Sequence, residues 1–436
     1  MNNNNGATLA SASLPKLNSL TSKILMPIMF ILLFLYSTVV NKLMDGAMET
    51  AQNLIGFIIL CIIFSNFLNG GIKWVKNYVG IPATVYIIIR LIGCYLEGNH
   101  YVTIRSIFFE VFCIVGICAI TAGNTKNVKK YALIFLALET IFSAISFFIF
   151  LLAPHFESLR EWAFTYTLYE SHPTASFFVN RNTAGIMIGV AILILIACIG
   201  NTKSKNSRIF ACLLLTFHIL NFLLQNCRSA EVALFAVAIA FVLKKYKSFD
   251  RKKIVISILV LCLCAVGIIY AFIGYNLSTH PEYLTPFETK LNYYSAERYS
   301  IWQECFIEQK EHPFFGAGSL AKEQWAREVI LNVYDNNYAD VIKYFTNYGP
   351  HSGYISMISV SGWLGFAAFI WILLYKIKKS KLLKEGNWYL IVIFTLVVNL
   401  FESLFILNRF FLCFFMFMIL EAEPEPDEES DKLLSC

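Results

Sequence analysis

Five arginines, at the edges of apolar runs, within one of them or in the long polar segment between them, are the most informative charges of the sequence. They are Arg90, Arg105, Arg181, Arg228 and Arg298. A charge is costly in lipid, so an arginine in such a place indicates a function or a dedicated partner. Arginine stays protonated, and its guanidinium binds phosphate oxygens in pairs. The five residues together predict a binding site for an anion, such as a lipid-linked diphosphate, at a membrane–water boundary.

Four of these arginines also have a simpler interpretation, in which the side chain only pairs with an acid or reaches the surface. The alternatives are an ion pair of Arg90 with Glu110 or Glu139, a surface-directed Arg105, a helix-face pair of Arg228 with Glu231, and a solvated Arg298 beside Glu297. We favour function for Arg228, because an arginine in a tight turn between two apolar runs is harder to explain otherwise.

His351 lies where a long polar segment meets the next apolar run, in Pro350-His351-Ser352-Gly353-Tyr354. A lone histidine at such a boundary is more often a neutral hydrogen-bonding group. Beside an anion site, however, an imidazole is well suited to act as a general base that removes a proton from a hydroxyl. His351 is therefore the candidate catalytic residue.

Metal and cofactor chemistry are not predicted. The chain contains no Asp-x-Asp pair, no HExxH motif, no P-loop and no glycine-rich dinucleotide fingerprint. If arginines neutralise a diphosphate, no Mg²⁺ is needed for the leaving group. The net charge of +6 is spread over short clusters between apolar runs, so nucleic acid is not an expected partner.

The elements that must position these residues are apolar helices. Of the 436 residues, 57% are hydrophobic and 15% are charged, against about 45–50% and 25% in soluble domains. A membrane span needs about 20 mostly apolar residues. The sequence predicts an all-α polytopic membrane protein with twelve spans, at 24–41, 51–69, 79–96, 103–122, 131–153, 183–200, 208–225, 229–243, 254–275, 352–375, 387–403 and 405–420.

The distribution of basic residues predicts the orientation. Lysine and arginine cluster after spans two, four, six, eight and ten, and the short connections between them are poor in lysine. The positive-inside rule then places both termini in the cytoplasm. The predicted organisation is a disordered N-terminus (1–23), spans one to nine (24–275), a long extracytoplasmic loop (276–351), spans ten to twelve (352–420) and an acidic tail (421–436). Within the loop, Arg298, Ile301, Trp302, Cys305 and Phe306 have helical spacing, and Pro313 is expected to end that helix.

An ordered set of motifs around this loop resembles the superfamily of O-antigen ligases and O-antigen or capsule polymerases. The motifs are Phe178-Val179-Asn180-Arg181-Asn182, Cys227-Arg228-Ser229-Ala230, Arg298-Tyr299-Ser300-Ile301-Trp302, His312-Pro313-Phe314-Phe315-Gly316-Ala317-Gly318, Pro350-His351-Ser352-Gly353-Tyr354 and Ser361-Gly362-Trp363-Leu364-Gly365. The resemblance covers spans six to twelve. The chain departs from the family pattern at Ser352, where asparagine is usual, and at Cys227, where serine or threonine is usual.

The resemblance implies a C-class glycosyltransferase fold and a metal-independent, inverting transfer from a glycan on undecaprenyl diphosphate. Arg181, Arg228 and Arg298 would hold the diphosphate, and His351 would deprotonate the acceptor hydroxyl. Arg90 and Arg105 are added on the basis of their depth alone. The enzyme would lie in the bacterial cytoplasmic (inner) membrane with its active site on the extracytoplasmic side.

Three catalytic or transport functions are compatible with these features, and a receptor or scaffold, in which His351 and Arg228 would be dispensable, is a further alternative. We favour a repeat-unit polymerase of O-antigen, capsule or exopolysaccharide, whose acceptor is another lipid-linked unit. The alternatives are an O-antigen ligase, which transfers the glycan to lipid A-core or another acceptor, and a transporter or flippase of lipid-linked oligosaccharide. Expected partners are membrane lipid, a chain-length regulator and a flippase. A transporter would tend to place its charges near the midplane rather than at one boundary.

Overall fold

A computed structural model describes residues 24–44, 80–97, 125–167, 169–170, 173–201, 204–247, 249–279, 285–295, 298–316, 351–384, 386–405 and 411–422, with isolated positions between 47 and 68. Within them the chain is helical and contains no strand. The helices are α1 (Met26–Tyr36), α2 (Val40–Leu43), α3 (Ile81–Glu97), α4 (Thr125–Leu152), α5 (Glu157–Tyr166), α6 (Arg181–Asn201), α7 (Lys205–Gln225), α8 (Arg228–Lys247), α9 (Arg251–Thr279), α10 (Pro286–Tyr294), α11 (Arg298–Glu311), α12 (Gly353–Lys379), α13 (Trp388–Val398) and α14 (Phe411–Glu421).

Five of these helices, α4, α6, α7, α9 and α12, are long and apolar enough to cross a membrane. They coincide with the spans predicted at 131–153, 183–200, 208–225, 254–275 and 352–375. The predictions at 24–41, 79–96, 229–243, 387–403 and 405–420 coincide with α1, α3, α8, α13 and α14, of which all except α8 are shorter apolar helices. The span at 103–122 and most of 51–69 lie outside the described residues, as do the N-terminal 1–23 and nearly all of the acidic tail. The total of twelve spans therefore stays a prediction.

The two faces of α7 show how the bundle meets lipid. Leu213, Leu220 and Leu223 are more than half exposed, whereas His218 and Asn221 on the opposite face are buried. An apolar surface of this extent is unfavourable in water but is the normal outer surface of a helix in a bilayer, where backbone groups are satisfied within the helix. The chain is thus a multi-pass membrane protein, and its described residues are helical.

The core of the bundle is built on α6 and α13. All eleven residues of α13 are buried. Gly189 of α6 faces the ring of Phe394 in α13, and a Cβ at position 189 would lie 2.6 Å from that ring. Small residues allow helices to approach this closely in membranes. The pair therefore forms a rigid centre against which α8 and α9 also pack.

A break in α12 holds one turn of the predicted loop, Pro313–Gly316. Gly362 has φ 62° and ψ −175°, so the helical hydrogen bonds are interrupted there. The N–H groups of Trp363 and Leu364 donate instead to the carbonyls of Pro313 and Phe314, at 2.9 and 3.2 Å. The Pro313–Gly316 turn is thereby fastened into α12. As predicted, the helix before this turn, α11, ends just ahead of Pro313.

Gly362→Ala is expected to destabilise the protein by roughly 2–5 kcal/mol, the sum of left-handed backbone strain and overpacking. An added Cβ would lie 2.3 Å from the carbonyl oxygen of Phe314, which cannot move without releasing the turn. Thermal unfolding in one fixed detergent measures the effect. Gly267→Ala in α9 is the matched control, because no atom lies within 4 Å of its added Cβ. Equal melting temperatures for the two variants would contradict the packing described.

Candidate active site

Four of the residues predicted from the sequence lie at the beginnings of helices. Arg181, Arg228 and Arg298 are the first residues of α6, α8 and α11, and His351 precedes α12 by two residues. The first turn of a helix has N–H groups without helical partners and carries partial positive charge. Such ends attract phosphate and other anions, and an arginine at the same place adds a full positive charge.

Local sequence explains why two of these helices begin where they do. The side-chain oxygen of Asn180 accepts a hydrogen bond from the N–H of Thr183 at 2.8 Å, which caps α6. The hydroxyl of Ser352 accepts from the N–H of Ile355 at 3.4 Å and caps α12. The departure from the family's usual asparagine at Ser352 therefore keeps a capping function. His351 has a φ of 49°, a left-handed conformation that turns the chain into α12.

The starts of α6 and α8 lie side by side. The thiol of Cys227 donates to the carbonyl oxygen of Asn182 at 3.6 Å. Gly185 faces Cys227 so closely that a Cβ at position 185 would lie 2.4 Å from the Cβ of Cys227. The side chains of Arg181 and Arg228 are exposed at these two helix starts. The structure thus brings two predicted phosphate ligands to one region.

Glu402 joins these helix starts into one cluster. Its Oε1 accepts hydrogen bonds from Arg298 Nη2 and from Asn182 Nδ2, each at 3.0 Å. Its Oε2 lies 3.6 Å from Nδ1 of His351. Its main-chain oxygen accepts from the N–H of Gly353 at 3.0 Å. The Glu402 cluster, meaning Glu402, Arg298, His351 and Asn182, therefore connects α6, α11 and the start of α12 through the turn after α13.

Sequence reasoning assigned no role to Glu402. The residue lies at the end of the predicted span 387–403, and the only available signal was a single acid beside the turn that joins the last two predicted spans. The structure encloses its side chain, which is 14% exposed, together with those of Arg298 (18%) and His351 (25%). Charges that are screened so little from one another interact more strongly than charges at an open surface.

The Glu402 cluster is chemically suited to proton transfer beside a bound anion. A carboxylate facing Nδ1 of His351 favours the tautomer with its proton on Nδ1, in which Nε2 is the proton-accepting nitrogen. Arg298, Arg181 and Arg228 supply positive charge at helix starts that meet the same region. Negative charge developing on a leaving diphosphate would be stabilised by such fixed cations.

A second polar group holds the start of α11, and hence Arg298, in place. The Tyr299 hydroxyl donates to Glu288 Oε1 at 2.5 Å and accepts from Asn276 Nδ2 at 3.1 Å. Burial alone would raise the pKa of Glu288, but hydrogen bonds from Tyr299 and Thr285 outweigh it and hold that pKa below its usual value. Glu288 therefore ties α9, α10 and α11 together as a carboxylate.

Glu288→Gln is expected to lower stability at neutral pH by about 1–3 kcal/mol, the usual contribution of hydrogen bonds to a buried charge. Because the folded-state pKa of Glu288 is lowered, its contribution is complete above the unfolded value of about 4.3 and is lost as pH falls through the folded value. Melting temperatures of the wild type and variant should therefore converge on acidification. Glu311→Gln, at an exposed position in α11, is the control. A difference in melting temperature that is independent of pH would contradict this role.

The structure, in the residues that it describes, does not place the other two predicted arginines, Arg90 and Arg105, in the Glu402 cluster. Arg90 of α3 is buried and donates from Nη1 to the carbonyl oxygen of Val360 at 2.7 Å, at the break in α12. Arg105 and Glu110 lie outside the described residues. Glu139, the other proposed partner of Arg90, contacts Ser143 and lies 3.1 Å from His218 Nδ1. Diphosphate binding by Arg90 and Arg105 stays a prediction.

The fold and site define an all-helical membrane protein with a cationic, histidine-containing cluster at one end of its bundle. Residues 210–370 match the model of the O-antigen ligase family. The match covers Arg228, Arg298, His351 and the break in α12, and it confirms the resemblance identified from the motifs. Members of this family are glycosyltransferase-like enzymes of O-antigen pathways. No curated protein matches the chain.

Proposed function

We propose that the protein is a polysaccharide repeat-unit polymerase. It transfers a glycan from undecaprenyl diphosphate to a sugar hydroxyl of another lipid-linked unit, with inversion and without a metal. The observation that carries this proposal is the Glu402 cluster, which places a candidate base, His351, beside a candidate phosphate ligand, Arg298. His351 was predicted to deprotonate the acceptor and Arg298 to bind the donor diphosphate. Both side chains contact the carboxylate of Glu402.

The reaction needs one proton transfer and one bond exchange. Nε2 of His351 takes the proton of the acceptor hydroxyl, whose oxygen forms a bond to the anomeric carbon. The bond from that carbon to the diphosphate oxygen breaks, and undecaprenyl diphosphate leaves with its electron pair. Arg181, Arg228 and Arg298 bind the diphosphate and stabilise the charge that it gains.

Position in the membrane follows from the charge pattern. The basic connections predict that the helix starts carrying Arg181, Arg228 and His351 lie on the extracytoplasmic side. The donor would reach the site through the bilayer of the bacterial cytoplasmic membrane, with its diphosphate at the boundary. A flippase that delivers the donor and a chain-length regulator are the partners that such a polymerase requires.

An O-antigen ligase is the second candidate, because the matching family model is described as O-antigen ligase. A ligase uses the same donor and differs only in its acceptor, lipid A-core or another molecule. The described residues that bind the donor and remove the proton would be the same in both enzymes.

The products that accumulate in cells distinguish the two functions. The wild type or His351→Ala is produced as the only copy in the source cell, with equal amounts in the membrane. Single repeat units that accumulate on lipid in the variant support the polymerase, whereas long lipid-linked chains that are not attached to an acceptor support the ligase. Normal surface glycan in the variant would refute both and favour the transporter.

A further inference from the structure

The two oxygens of Glu402 face residues with different proposed tasks. Oε1 binds Arg298, a proposed ligand of the donor diphosphate, and Oε2 faces Nδ1 of the proposed base His351. The carboxylate is mostly enclosed, so a change at one of its oxygens is felt at the other with little screening by water.

Oε1 also occupies a position suited to a phosphate oxygen. It receives an arginine N–H and the side-chain amide of Asn182, the second residue of α6. Carboxylate and phosphate oxygens accept the same kind of charge-assisted hydrogen bond from arginine. A donor diphosphate that binds Arg298 therefore competes with Glu402 for it.

We propose that Glu402 is a positioning residue that couples donor binding to the action of His351. In the structure its carboxylate binds Arg298. When the diphosphate takes over Arg298, the carboxylate is left to hold the Nδ1–H of His351 and to stabilise the imidazolium that forms. One proton moves from the acceptor hydroxyl to Nε2, and Glu402 stays ionised and forms no covalent bond. This inference rests on the proposed function and deepens it.

With this coupling, Glu402 weakens binding of the donor and speeds glycan transfer. Its negative charge opposes the donor diphosphate, so Glu402→Gln should bind donor more tightly, by roughly 5- to 100-fold, the usual range of coupling between sites. The same substitution removes the charge that stabilises the imidazolium and should slow transfer by about 10²–10⁴-fold. A residue that only maintains the fold would weaken binding and turnover together.

The experiment uses the full chain in lipid nanodiscs. Binding of undecaprenyl diphosphate is measured without acceptor, and turnover is measured with the lipid-linked repeat unit. Tighter binding with slower turnover in Glu402→Gln supports the coupling, and weaker or unchanged binding overturns it. Glu157→Gln, at an exposed position in α5, is the matched control and should change neither quantity.

A double-substitution cycle keeps the inference testable if Glu402→Gln is poorly folded. Glu402→Asp keeps the charge but shortens the reach, and it should slow turnover without the gain in donor affinity. In an Arg298→Ala background, Glu402→Gln should lose its effect on donor affinity, whereas in a His351→Ala background the effect should remain. The inference would be overturned if Glu402→Gln still changed donor affinity in the Arg298→Ala background, or lost that effect in the His351→Ala background. If His351→Ala alone left turnover unchanged, the proposed function itself would fail.

Discussion

His351→Ala is expected to reduce the rate of glycan transfer by about 10²–10⁴-fold, the usual contribution of a general base. The affinity for undecaprenyl diphosphate should change little, because the imidazole is proposed to act on the acceptor and not on the donor. Because His351 has a φ of 49°, alanine adds backbone strain at this position. His351→Asn is therefore the better probe, since asparagine tolerates the left-handed conformation and cannot act as a base at neutral pH.

Single-turnover transfer from a lipid-linked repeat unit measures the effect for both variants. His155→Ala is the matched control, because this histidine is exposed in the turn after α4. A rate in His351→Asn within a few-fold of the wild type would exclude His351 as the base. If His351→Ala lost both activity and folded protein whereas His351→Asn lost neither, the loss in the alanine variant would be assigned to backbone strain.

Arg228→Ala and Arg181→Ala are each expected to reduce transfer by about 10²–10³-fold, the typical effect of removing one group that stabilises developing negative charge. Both side chains belong to helix starts that lie against each other, so each substitution removes one of the positive charges proposed to bind the diphosphate. Lysine should restore only part of the rate, because it keeps the charge and loses the paired hydrogen bonds.

Donor binding and turnover should both fall in these arginine variants, unlike in the base variants. Arg160→Ala in α5 is the control, because Arg160 is half exposed and lies 3.6 Å from Glu157 at the surface. An equal loss in Arg160→Ala would show that net charge, and not the site, controls the reaction. Normal donor affinity in both Arg228→Ala and Arg181→Ala would remove them from the diphosphate site.

Helices and helix ends that depend on residues close together in the sequence were predictable from it. The predicted spans at 131–153, 183–200, 208–225, 254–275 and 352–375 coincide with helices because some 20 consecutive apolar residues have no stable alternative in a bilayer. The helix beginning at Arg298 followed from its spacing, and Pro313 marked its end. His351 and Arg228 were recognised because each borders an apolar run, where polar residues are expensive. Arg298 was recognised through the resemblance of its motif to the family.

Features that depend on distant residues required the tertiary structure. Glu402 is 104 positions from Arg298 along the chain, and no local pattern indicates their contact. The break at Gly362 is stable only because the carbonyls of Pro313 and Phe314 replace its lost partners. The sequence by itself determined which residues border the membrane and could carry the chemistry. Only the packing of α6, α11 and the turn after α13 decided which of them meet, because such contacts arise from helices brought together across the whole chain.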